Sequence, residues 1–168
     1  MWRCSLAATV LIALMAPASA AEDGCGKFAW PLAREQALFA SADKPTIKAG
    51  ETLTAIPKTA FVLQLKSSAE AAFAMSPERK PKLEHWFGGA IQLPAFEKPG
   101  IYQVTLSDEA WIDVVQDDRY ARALGSTGRS DCPGLRKSVR LDLSASPFVL
   151  QLSGVSSDEI VVAISSSE

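Results

Sequence analysis

Glu97-Lys98-Pro99-Gly100-Ile101-Tyr102-Gln103-Val104-Thr105-Leu106-Ser107-Asp108-Glu109 reads as a strand bracketed by two turns. Proline presets one backbone angle and glycine tolerates a sharp reversal, so Pro99-Gly100 predicts a tight turn that feeds directly into the strand. Beyond it, Tyr102, Val104 and Leu106 share one face while Gln103 and Thr105 share the other. This period of two describes a ribbon with one buried and one wet side. The alternation returns where Val139, Leu141 and Leu143 oppose Arg140 and Asp142. One-sided strands of this kind belong to antiparallel sheets.

Outward from this stretch, runs rich in β-branched and aromatic residues recur at 52–56, 60–66, 72–75, 90–93, 101–106, 110–116, 139–143, 148–152 and 160–164. Polar turn signals separate them, among them Lys48-Ala49-Gly50, Ser144-Ala145-Ser146-Pro147 and the segment 154–158. The pattern predicts an all-β chain folded as an antiparallel two-sheet β-sandwich. A short N-terminal helix is expected over 32–40, with Pro31 at its first position, although Phe28, Trp30 and Leu32 also alternate as a strand would. Phe61-Val62-Leu63-Gln64-Leu65 reappears as Phe148-Val149-Leu150-Gln151-Leu152. The echo suits strands facing each other across a sandwich core, and equally suits chance reuse of a favourable strand sequence.

The beginning of the chain predicts export. Arg3 supplies a basic start, residues 5–15 an apolar core, and Ala18-Ser19-Ala20 a small-residue cleavage site, so residues 1–20 read as a secretory signal peptide and 21–168 as the mature domain. The apolar run ends at Pro17, short of the about 20 residues that a membrane anchor needs, and no stable membrane anchor is expected. Cys4 and Cys25 lack the small aliphatic neighbours that precede a lipidated cysteine. The expected location is periplasmic or secreted. Removing Arg3 leaves 16 basic against 19 acidic residues, too balanced to suggest a nucleic-acid partner. A mature chain of 148 residues fits one domain and holds a core without a metal or cofactor, and none is expected.

Two cysteines survive processing, Cys25 and Cys132. In an oxidising compartment they predict one disulfide, and their distance in sequence argues against a C-x-x-C redox or metal pair.

The segment Phe87-Gly88-Gly89-Ala90-Ile91-Gln92-Leu93, followed by Lys98-Pro99-Gly100-Ile101-Tyr102-Gln103-Val104-Thr105-Leu106-Ser107, resembles an element of bacterial pre-peptidase C-terminal type domains. The resemblance covers residues 47–116 and implies a secreted, jelly-roll-like β-sandwich with an accessory role in binding or processing. It transfers no site residue. The chain also looks like short exported bacterial proteins labelled homogentisate dioxygenases. That chemistry needs two histidines and a carboxylate around iron, and true homogentisate dioxygenases are much longer cupins, whereas this chain has one histidine, His85.

Catalytic sets are sparse. His85 lies in a loop-like segment, 80–86, and no G-x-S-x-G elbow accompanies it. Asp108, Glu109, Asp113, Asp117 and Asp118 cluster around one expected hairpin and supply the alternative reading, a small secreted hydrolase using a carboxylate pair. They lack the calcium-loop spacing. The segment 116–138 reads as a long polar loop with Gly125, Gly128 and Gly134 that gathers Arg119, Arg122, Arg129, Arg136 and Lys137. Such arginines suit an envelope glycan, another anionic ligand or an acidic protein face. Trp86 in its polar loop is a candidate stacking platform, and Trp111 is expected in the core. The favoured function is therefore a non-catalytic binding or envelope-accessory domain, with inhibition of a hydrolase as a variant.

Overall fold

A computed structural model describes residues 24–167, so the expected signal peptide lies outside the described residues. After a 3₁₀ turn at Gly24–Lys27 come helix α1 (Ala33–Ala40) and strands β1 (Thr46–Lys48), β2 (Phe61–Gln64), β3 (Lys66–Ser67), β4 (Phe87–Leu93), β5 (Gly100–Leu106) and β6 (Trp111–Gln116). They are followed by β7 (Arg119–Tyr120), β8 (Arg122–Gly128), β9 (Lys137–Leu143), β10 (Phe148–Val155) and β11 (Glu159–Ser166). The strands form two sheets, ordered β1-β2-β11-β5-β9-β8 and β3-β4-β10-β6-β7. Over the described residues the protein is thus an all-β two-sheet sandwich with one short helix.

The order has a simple logic. The antiparallel pairs β2·β11, β4·β10, β5·β9 and β6·β7 nest inside one another in sequence and alternate between the sheets. One long hairpin has been rolled around a common core, which is the jelly-roll arrangement. Pro99-Gly100 opens β5 as expected, and its neighbours run in register from Gly100 opposite Leu143 to Leu106 opposite Lys137.

Alternation sets what is buried. Val104, Leu106, Val139, Leu141 and Leu143 enter the core with Ile91, Leu93, Ile112 and Val114 from the facing sheet. The echoed segments fall in different sheets, and Phe61 and Leu63 meet the same core as Phe148, Leu150 and Leu152. In β10 the ladder shifts between Leu152 and Val155, and Gly154 takes φ +77° there. Glycine adopts that conformation without the steric cost a side chain would bring.

Several expectations are corrected. Residues 72–75 form no strand: they belong to an irregular segment, 68–86, that crosses the outer face of the smaller sheet. Of 52–56 only Thr52 makes a ladder contact, a parallel bridge to Gln92. The sheets are not purely antiparallel, because β1 runs parallel to β2. Pro31 precedes the helix, whose N-cap is Leu32. The stretch 116–138 is largely a ladder: Asp117 and Asp118, at φ +50° and +58°, turn β6 tightly into β7, and β8 then pairs along β9. Its glycines and exposed side chains gave it the appearance of a loop, but an edge strand need not bury a face.

Both outer faces carry a cover. Helix α1 lies over the larger sheet, where the buried Glu35 accepts hydrogen bonds from Gln103 Nε2 at 2.7 Å and Ser165 Oγ at 2.6 Å. Phe28, Leu32, Cys132 and Leu135 make a second small core beside it. The disulfide Cys25–Cys132 closes this corner, across 107 residues of sequence, and indicates an oxidising, non-cytoplasmic environment. No helix among the described residues is long and apolar enough to cross a membrane.

Candidate functional site: a cationic cleft around Trp111

Trp111 opens β6. Because Ile112 and Val114 point into the core, Trp111 and Asp113 point outward, which corrects the expectation that Trp111 fills the core. The sequence signal misled because β-strand alternation, not hydrophobicity, decides the side, and a cover supplies the indole with partial burial.

That cover is segment 68–86, and three side chains pin it. Gln151, 1% exposed, accepts from the backbone N–H groups of Ala74 and Met75 at 3.2 and 3.4 Å, and donates to the Met75 carbonyl at 2.9 Å. Its register neighbour Asp113 accepts from the Trp111 indole at 2.7 Å and from the Glu78 backbone N–H at 3.2 Å. Tyr120 donates its hydroxyl to the Ser76 carbonyl. Desolvation, with the carboxylates of Asp113 and Glu78 nearby, pushes the Tyr120 phenol above its ordinary value.

The pinned segment delivers Arg79 to Trp111, its guanidinium carbon 4.4 Å from the ring centroid. Lys137, the first residue of β9, brings its ammonium to 5.5 Å of the same ring. Aromatic rings attract cations through their quadrupole, so the indole gathers positive charge. Lys137 also donates to the Ala110 carbonyl at 2.6 Å and pairs with Glu109 at 3.1 Å, while Arg136 pairs with the other Glu109 oxygen at 3.0 Å. The result is a cleft of about 470 Å³ bordered by five basic side chains, Arg79, Lys80, Lys82, Arg136 and Lys137, against two acids, Asp108 and Glu109. Ser153, opposite Trp111 in register, lines this cleft with a buried hydroxyl that has no hydrogen-bond partner among the described residues. Buried polar atoms are nearly always satisfied, so this hydroxyl has a hydrogen bond to offer to a water or another group in the cleft. Depressions of about 410 Å³ beside Asp117 and about 480 Å³ beside Pro31 gather no cation.

Of the arginines picked out from sequence, Arg136 lines this cleft and the others do not. Arg119 and Arg122 border a groove with Asp117 and Asp142 at the far end of the strands, about 17 Å away along β9. Arg129 grips Asp131 through two bonds of 2.8 and 2.7 Å. That contact raises the guanidinium above its usual range and holds the Asp131 carboxyl below its own. Trp86 is half-buried and stacks on Phe73 at 6.2 Å, and His85 is exposed in the covering segment. The acids are divided: Asp117 and Asp118 sit at one end of β6, and Asp108 and Glu109 before the other. Asp108 accepts from Ser156 Oγ and from the Glu109 N–H. Among the described residues no three His, Cys, Asp or Glu side chains cluster as metal ligands. Sequence reasoning missed Arg79, Lys80, Lys82 and Ser153. The basic run Arg79-Lys80-Pro81-Lys82 was the available signal for the first three.

Fold and cleft together define a disulfide-stapled β-sandwich with a cationic surface site. No family model, curated protein or solved structure matches the chain.

Proposed function

We propose that the chain is an exported, non-catalytic binding domain of the periplasm or cell envelope that holds an anionic ligand in the Trp111 cleft. The observation that carries this reading is a local excess of three positive charges in a chain whose net charge is −2. Such a concentration is repulsive by itself, and Glu109 neutralises only part of it. An anion would complete the balance and offer an acceptor to Ser153. Arginine and lysine side chains around one concave surface suit carboxylate, phosphate or sulfate groups, as in acidic glycans or acidic protein faces.

Titration of the isotopically labelled mature domain with inorganic phosphate at low salt tests the reading. The Trp111 indole N–H resonance should shift with saturation, and Arg79→Ala with Lys82→Ala should weaken binding about tenfold or more, the scale of a lost charge-assisted hydrogen bond. Raising the salt should weaken it further. An indole signal indifferent to phosphate, sulfate and an acidic peptide alike would refute the proposal.

A further inference from the structure

Beside the cationic cleft the sandwich is open. Among the described residues, strand β7 pairs only with Val115 and Gln116 of β6, and no strand lies beside the outer edge of β6 near Trp111. Strand β8, which ends the other sheet, pairs among the described residues with β9 alone. Between these two edges lies a cleft of about 220 Å³ whose walls include the core-facing Ile112, Val114, Val139 and Leu141. Leu124, 39% exposed, and Ala123 form its lip on β8. Trp111 and Lys137 border this apolar cleft and the cationic one alike.

We infer that the ligand is a single-chain anionic amphiphile, its hydrocarbon chain inserted between β6 and β8 and its anionic head held by Lys137 and Arg79. The head's placement rests on the reading of the cationic cleft given above; the tail's rests on the gap between the sheets. The volume lies below the about 300 Å³ at which ordinary small-molecule pockets begin, so it admits one slender chain and excludes a two-chain lipid. Charge fixes the direction of entry. Of the acids bordering the apolar cleft, Asp113 is buried and hydrogen-bonded, and the exposed Glu78 opposes an anion on its own side. Lys137 is the cation where the two clefts meet, and a head placed there leaves the chain pointing at Val139 and Ile112.

A series of straight-chain carboxylates from acetate to dodecanoate, each below its micelle concentration, tests this against inorganic phosphate and against alcohols of matching length. Affinity should rise about fourfold per methylene until the cleft fills and then level off, the conversion of the burial energy of a methylene. Ala123→Phe should flatten the series while leaving phosphate binding intact. Leu124→Ser, at an exposed position, should reduce the slope without demanding that the core accept a larger residue. A series that is flat from acetate to dodecanoate, with phosphate still bound, overturns the tail site and spares the cationic cleft. Alcohols that bind as tightly as the carboxylates overturn the anionic head, and the reading of the cationic cleft falls with it only if phosphate also fails to bind.

Discussion

Replacing Gln151 with leucine keeps most of the side chain's bulk and deletes its amide, so it isolates the hydrogen bonds that hold segment 68–86 on the sheet. The amide makes three such bonds, to the Ala74 and Met75 N–H groups and to the Met75 carbonyl. A further contact to Asp113 at 3.5 Å is too long to add much. Neutral hydrogen bonds contribute about 1 kcal/mol each, so the variant should lose about 3 kcal/mol. With a urea slope of about 2 kcal/mol/M, the midpoint should fall by about 1.5 M. Amide exchange at Ala74 and Met75 should accelerate more than at β5, and phosphate affinity should fall as Arg79, Lys80 and Lys82 lose their fixed positions. A midpoint shift under about 0.5 M, the value of a single bond, would show that the segment is held by other means and would break the link between Gln151 and the cleft.

Removing the bridge by replacing Cys25 and Cys132 with serine frees a loop of 107 residues, and the chain-entropy estimate is a loss of about 4.8 kcal/mol, to be read in urea titrations of the double variant. Gly88→Ala should destabilise by about 1–3 kcal/mol, because its Cβ would lie 2.7 Å from the Leu152 carbonyl oxygen and 2.8 Å from the Trp86 ring; an unchanged melting temperature would contradict the packing. The Asp131 carboxyl is held low chiefly by its hydrogen bond to Arg129, so its contribution is present above the unfolded value of about 3.9 and is lost as the pH falls through the lower folded value. Asp131→Asn should therefore lower the melting temperature slightly across the neutral region and flatten part of the acid limb of the profile, so that the two proteins converge at low pH. The Tyr120 phenol is shifted the other way, so its contribution is complete below about pH 10 and fades as the pH rises through the folded value. Tyr120→Phe should remove that part of the alkaline limb.

The strands that line the core were legible because burial writes period two into the chain. Tyr102, Val104 and Leu106 on β5, and Val139, Leu141 and Leu143 on β9, carry the apolar side of that pattern, although Gln103, Thr105 and Ser138 on the polar side are buried as well. Segment 116–138 was not legible as a ladder, since β8 lies at an edge and has little to bury. The disulfide followed from counting cysteines, whereas the covers could not be foreseen: Glu35, Gln103, Asp113 and Gln151 look like surface residues until a helix or an irregular segment settles on them. The site was only partly visible for the same reason. Arg79, Asp113, Lys137 and Ser153 come from four separate stretches, and only the rolled hairpin and its cover bring them around one indole.

The covers show why these polar residues are buried at all. An apolar patch between a sheet and its cover would stabilise at least as well, but oily contacts tolerate sliding, whereas a carboxylate or amide whose partners are fixed does not. Glu35 fixes α1 against Gln103 and Ser165, and Gln103 in turn accepts from Arg140, whose guanidinium lies 4.5 Å from the centre of the Trp30 ring. On the opposite face Asp113 and Gln151 fix the segment that carries Arg79. Each cover also leads to the cleft: one directly, through Arg79, and the other through Cys25, which ties Cys132 four residues before Arg136. Rigid placement matters little for stability alone and a great deal for spacing cations that repel one another, so the buried hydrogen bonds are best understood as holding the rim of the cleft at a set width.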